Sequence, residues 1–149
     1  SSPIFGSTNN DKSSVPNASG QRQPVLLQEF AYGTEYAIDI ISKAGEHKVA
    51  AVWRYDKRAV NGRDFVYHAT RLVDVTLHLQ PAPPPQQTEG TLDAQTLLRH
   101  SREGYLAAQY AQRALDALDI RWGMTHNEVI INLEDETVPD ARLVEVNCR

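Results

Sequence analysis

Cysteine is all but missing from this sequence. Cys148 stands alone, so no internal disulfide can form, and a stapled secreted scaffold is excluded. A reducing compartment, the cytoplasm, is the expected setting. Long apolar runs are missing as well. The longest, Val49-Ala50-Ala51-Val52-Trp53, falls far short of the roughly 20 residues a membrane helix needs, and no membrane partner is expected. Basic charge is not in excess: 15 Lys and Arg against 19 Asp and Glu leave a net charge of -4. That excludes the broad cationic footprint of a nucleic-acid binder. No P-loop, Gly-x-Gly-x-x-Gly or Gly-x-Ser-x-Gly occurs, which removes the commonest phosphate-cradle and nucleophile-elbow signatures. The histidines at 47, 68, 78, 100 and 126 show no paired metal spacing, and His126-x-Glu128 lacks the cysteines a zinc site would add.

What remains is enough for one domain: 149 residues can bury a real core but hardly two. Residues 1–24, rich in Ser, Asn, Gly, Gln and Pro, read as a loop or linker. Val25 to Phe30, dense in large apolar side chains, reads as a buried strand, and Ala31-Tyr32-Gly33-Thr34 as a turn. Glu35 to Ser42 alternates, with Tyr36, Ile38 and Ile40 on one face and Glu35, Ala37, Asp39 and Ile41 on the other. Lys43 to His47 suits a hairpin loop with Gly45 at positive φ, and Lys48 to Tyr55 returns as the partner strand. Asn61-Gly62 marks another turn before a strand over Phe65 to Leu72.

Pro81-Ala82-Pro83-Pro84-Pro85 begins a stiff, exposed insertion near residues 80–90, either a solvated loop or a ligand for a small adaptor domain. From about Asp93 or Ser101 the period changes to 3.6, with Ala107, Ala108, Ala111, Ala114, Leu115 and Leu118 as an apolar stripe ending near Asp119. Two strands, His126 to Leu133 and Arg142 to Cys148, close the chain around a loop over Glu134 to Asp140. The fold class expected is α+β, mainly antiparallel sheet with one long helix.

Three stretches could carry chemistry. In the last strand, Glu145, Asn147 and Arg149 share one face, with Val144, Val146 and Cys148 on the other. Oxygen ligands beside a guanidinium suit a hard cation bound to phosphate, magnesium above all. Pairing of the two closing strands places Glu128 across from Glu145. Such a like-charge pair is tolerable when a divalent cation lies between. The same pattern is also that of a plain solvent face on an amphipathic hairpin. Cys148, pointing away from the polar face, is expected in the core. The second stretch, Gln28 to Glu35, could offer backbone groups to an adenine edge and a carboxylate to ribose, or could be an ordinary strand–turn–strand. The third, Trp53 to Arg58, sets three cations beside two aromatics: a phosphate or acidic-substrate patch, or a salt-bridged strand end.

The runs VLLQEFAYGTEYAIDIIS, HKVAAVWRYDKR, NGRDFVYHATRL, YAQRALDALDI, THNEVIIN and RLVEVNCR, in that order, resemble the C-terminal half of the ATP-grasp superfamily. The branch they are most similar to is that of the L-amino acid ligases, the bacilysin synthetase-like carboxylate–amine ligases. The resemblance covers nearly all of residues 25–149. It implies an ATP-grasp C-terminal subdomain using ATP and Mg2+. Gln28, Glu29, Phe30 and Ala31 would form the hinge at adenine, and Glu35 would bind ribose. Glu128, Glu145 and Asn147 would hold magnesium. Arg149 would meet phosphate, with Lys57 and His68 lining the substrate side. The implied reaction phosphorylates a carboxylate with ATP and lets an amine displace the phosphate, joining amino acids. Its partners are small-molecule carboxylates and amines, in a monomer or a homo-oligomer. A non-catalytic module that keeps the fold and the nucleotide site is the alternative. Nothing in residues 1–24 matches the upstream half of such enzymes, and the chain stops inside a strand-like run at Asn147-Cys148-Arg149. It is therefore expected to be part of a longer protein.

Overall fold

The computed structural model describes residues 15–16, 22–23, 26–79, 93–133 and 140–148. It divides into two units, Ser1–Phe30 and Ala31–Arg149. In the first, β1 (Val15–Pro16) and β2 (Arg22–Gln23) pair antiparallel. Leu26 to Phe30 follow without regular structure and are exposed, Leu26 at 78% and Leu27 at 83%. The buried strand expected over Val25 to Phe30 is therefore absent from its described part. An apolar run becomes a strand only where a backbone partner pairs with it, and none of the described strand pairings includes these residues. The Pro-rich insertion, the loop after Leu133 and Arg149 lie outside the described residues.

The second unit is α+β. Its strands are β3 (Thr34–Lys43), β4 (Glu46–Val60), β5 (Arg63–Leu72), β6 (Gly123–Asn132) and β7 (Asp140–Cys148), in the order β5-β4-β3-β6-β7, with every neighbour antiparallel. Ala44 and Gly45 both take positive φ in the first hairpin, as do Asn61 and Gly62 in the second. That is the primed-turn geometry matching the twist of paired strands. The single helix among the described residues, α1 (Ala94–Ala117), joins β5 to β6 after a short 3-10 turn at Leu77–Leu79. Asp93 caps it, accepting from the Thr96 backbone N at 2.8 Å and the Thr96 hydroxyl at 2.7 Å. The helix stops before Asp119, whose φ is +53°. Leu118, expected in the apolar stripe, becomes the C-cap and is exposed. No helix among the described residues is long and apolar enough to cross a membrane.

The core lies between α1 and one face of the sheet. Tyr36, Ile38, Ile40, Val52, Val129 and Ile131 are buried there against Ala107, Ala108, Ala111 and Leu115. Each fully buried branched side chain contributes about 1.5–3 kcal/mol. Small helix residues let the backbone come close, and Gly104 marks the tightest place. A Cβ there would stand 3.2 Å from Val73 and 3.3 Å from Val52 and Val75. Two polar groups belong to this layer. The buried Tyr36 hydroxyl donates to Glu103 Oε2 at 2.6 Å. Ser42 Oγ lies 2.7 Å from His47 Nδ1, whose Nε2 is 3.2 Å from Asp116. The latter contains the residue types of a hydrolytic triad, but Ser42 is buried and the group ties the hairpin to the end of α1.

Two bulges decide which side chains leave the core. Asp39 pairs with Ala51 and Ile40 with Val49, leaving Ala50 as an extra residue in β4. Glu128 pairs with Glu145 and Val129 with Leu143, leaving Val144 extra in β7. Each bulge absorbs one residue and resets the alternation. Val49 and Val52 consequently both pack on the core, as do Leu143 and Val146. Cys148, expected in the core, is exposed near the end of an outer strand.

Candidate functional site

The helix covers only one face of the sheet. On the other, residues interleaved with the core positions of β3, β4 and β6 meet: Glu35 and Asp39, then Trp53, Tyr55 and Lys57, then His126 and Glu128. Their hydrogen bonds join them across three strands. Trp53 Nε1 donates to Asp39 Oδ2 at 2.8 Å, and His126 Nδ1 lies 2.8 Å from Asp39 Oδ1. The Tyr55 hydroxyl lies 3.2 Å from His126 Nε2 and donates to Glu128 Oε1 at 3.2 Å. Lys57 Nζ donates to Glu35 Oε2 at 2.5 Å and sits 4.4 Å from the centroid of the Tyr67 ring. Tyr67 in turn packs edge-on against Tyr55, with centroids 5.0 Å apart.

The electrostatics of this face are unbalanced toward negative charge. Burial pushes the Glu128 carboxyl above its ordinary value; the Tyr55 hydrogen bond opposes this, and the charges of Glu35 and Glu145 add to it. Burial, then the Glu128 charge and hydrogen bond, raise the Tyr55 hydroxyl. Burial pulls the Lys57 ammonium down, but its bonds to Glu35 and Tyr67 more than offset this. Glu35 keeps a second oxygen, Oε1, that is buried and has no hydrogen-bond partner.

The expected ligands fall as follows. Glu128 and Glu145 are direct cross-strand partners, and Asn147 pairs with His126 one step further along. Asn147 Nδ2 donates to Glu145 Oε1 at 2.5 Å, so its amide oxygen is the atom a cation would take. Among the described residues, no three His, Cys, Asp or Glu side chains gather as a metal-holding group. The set as it stands is two carboxylates and an amide. Glu35 lies on the same face but is already bound to Lys57, so these two form a pair rather than two separate sites.

His68 is not brought to this face. It is the extra residue of a third bulge, between Asp56↔Ala69 and Lys57↔Tyr67. It is exposed, and its charge is felt by Asp56, a carboxyl held low chiefly by its hydrogen bond from Arg58. The three cations of Trp53 to Arg58 are likewise divided by the alternation of the strand. Lys57 goes to Glu35, Arg58 pairs with Asp56 at 2.9 Å, and Arg54 turns to the helix side, near Tyr36 and His100. Gln28, Glu29 and Phe30 belong to the first unit, and Arg149 is outside the described residues.

Sequence reasoning missed Asp39, Tyr55, His126 and Tyr67 as members of this face. The alternation of β3 already carried Asp39 beside Glu35. Tyr55 needed the Ala50 bulge, which leaves no mark in periodicity.

No protein-family profile and no curated protein matches the chain. Among solved structures, it is similar to the crystal structure of an L-amino acid ligase from Bacillus licheniformis, with 23% identity and a TM-score of 0.47. The match covers 80% of this chain and 22% of that one, so the chain spans about a fifth of that ligase's length.

Proposed function

We propose that this chain is the nucleotide- and magnesium-binding part of an ATP-dependent carboxylate–amine ligase that joins amino acids. The observation carrying this reading is the sheet face away from α1, where Glu128 stands across from Glu145 with Asn147 beside it. Directly opposed carboxylates repel, and Glu128 is already strained toward its neutral form. A divalent cation removes both costs, and hard oxygens are the donors magnesium takes. The residues present therefore fit the ion. Bound there, magnesium supplies charge neutralisation for the transferring phosphoryl group.

The remaining roles follow the ordered resemblance. Glu35 accepts a ribose hydroxyl through its partnerless oxygen, while Lys57 holds that carboxylate in place. Gln28 to Ala31 meet the adenine edge. Arg149, the next residue in sequence after the strand that carries Glu145, takes phosphate oxygens in its planar fork. His68 lines the substrate side. The protein works on free amino acids in the cytoplasm, and catalysis is positioning and electrostatics rather than covalent attack by a side chain.

The test uses the full-length protein with ATP, magnesium and pairs of amino acids. Phosphate release that depends on both amino acids is expected. Release unaffected by every pair retires the ligase reading. The second reading, a binding module without turnover, is favoured by one observation: the lysine expected to face substrate is bound to Glu35. ATP binding with magnesium but without phosphate release would select it.

A further inference from the structure

The chain of hydrogen bonds running along the sheet face away from α1 is longer than metal binding alone requires. It starts at the Trp53 indole, passes through the two oxygens of Asp39 to the imidazole of His126, and reaches Glu128 through the Tyr55 hydroxyl. Its members come from three adjacent strands, β4, β3 and β6, so they are held by the sheet rather than by loops. A carboxylate only accepts hydrogen bonds. Asp39 therefore fixes both the indole N–H and the imidazole Nδ1–H, and the ring's other nitrogen is aimed at Tyr55. The Tyr55 hydroxyl stands 3.2 Å from both His126 and Glu128, and its ring packs at right angles to that of Tyr67. Glu128 Oε1 is the end point. His126 Nε2 itself stands 3.8 Å from that same oxygen.

We infer that Tyr55 and His126, anchored by Asp39, are positioning residues that set the direction of the Glu128 carboxylate at the cation site. This rests on the metal role given to Glu128 above. Partners behind a metal ligand fix its orientation, and their loss costs about 10–100-fold in metal affinity. The arrangement is directional: Tyr55 occupies one oxygen of Glu128, which leaves the other for an ion. None of the four supporting side chains belongs to the hydrophobic core, which lies on the opposite face.

The experiment titrates manganese(II) into the full-length protein in the presence of a non-hydrolysable ATP analogue, followed by calorimetry. Glu128→Gln is the reference and abolishes manganese binding. Tyr55→Phe, which removes only the hydroxyl, weakens it about tenfold. His126→Leu does the same, and the double variant is no weaker than the worse single one, since both break one strut. His126→Gln, whose amide can still reach Tyr55, recovers most of the affinity. In turnover, Tyr55→Phe raises the apparent KM for magnesium while kcat at saturating magnesium stays near that of the parent. Unaltered manganese affinity in both Tyr55→Phe and His126→Leu, with binding lost in Glu128→Gln, overturns the strut and leaves the ligase reading intact. Unaltered affinity in Glu128→Gln retires the metal site and the strut together.

Discussion

Lys57 and Glu35 form an ion pair with only one oxygen of the carboxylate engaged: Nζ meets Oε2 at 2.5 Å, while Oε1 is buried and without a partner. The side chains are 22% and 11% exposed, so neither charge is fully solvated. The unengaged oxygen has capacity for one further donor, and the lysine offsets part of the cost of burying the carboxylate.

Lys57→Met should accordingly destabilise the fold by about 2–3 kcal/mol, because the loss of one partner strands the other charge. Adding Glu35→Gln to that variant should recover at least half of the loss, since a neutral amide needs no counter-ion. Urea titrations of the two single variants and the double variant give the coupling. Strictly additive losses would show that the pair is incidental.

Magnesium with a non-hydrolysable ATP analogue should raise the melting temperature of the full-length protein. At a hundredfold excess over Kd the gain is about 2.7 kcal/mol. Glu145→Gln and Asn147→Ala should each erase most of the magnesium-dependent part. An equal shift with and without magnesium, or in parent and variants alike, removes both residues from the metal set.

Gly33 opens β3 at φ +139°, and a Cβ there would stand 2.3 Å from the Ile131 carbonyl oxygen. Gly33→Ala should cost about 3 kcal/mol, from strain and the forced separation of β3 from β6. Chemical denaturation reads this directly, and a loss under about 1 kcal/mol would mean that the strand start adjusts freely.

His100, on the buried side of α1, is held down at about 4 by burial first and then by the charges of Arg54, Arg99 and Arg71. Unfolded, it titrates near 6.5. Between about 4 and 6.5 the unfolded chain therefore binds more protons, so stability rises with pH through that window and is lost on acidification. His100→Gln should flatten this slope, with a difference on the order of 2 kcal/mol between the two ends. Melting curves across the window check it; identical slopes in parent and variant would assign the acid sensitivity elsewhere.

Much of this architecture is legible in the chain itself. The alternation of Tyr36, Ile38 and Ile40 fixes the buried face of β3, and Asn61-Gly62 places a turn where one occurs. Placing Glu128 across from Glu145 needs only the spacing of two strands and the loop between them. What could not be read is phase. A straight strand through Leu143 would send that leucine to the same side as Glu145, whereas Leu143 packs on the core. The place of His68 in its strand is hidden for the same reason, because it is the residue a bulge sets aside. Leu26 and Leu27 fail differently: their apolar character is real, but no backbone ladder includes them. Periodicity reports side-chain preference, and bulges and unpaired segments are decided by neighbours it does not contain.

The spare residues Ala50 and Val144 also mark where this fold can change length. Removing either one leaves an unbroken alternation, with Val49, Val52, Leu143 and Val146 still inward and Tyr55 and Glu145 still outward. A one-residue gap anywhere else between Ala51 and Lys57, or between Glu145 and Cys148, would turn every later side chain over. Distant relatives are therefore to be aligned with their gaps at these two positions, and a gapless comparison through β4 or β7 would equate core residues with site residues.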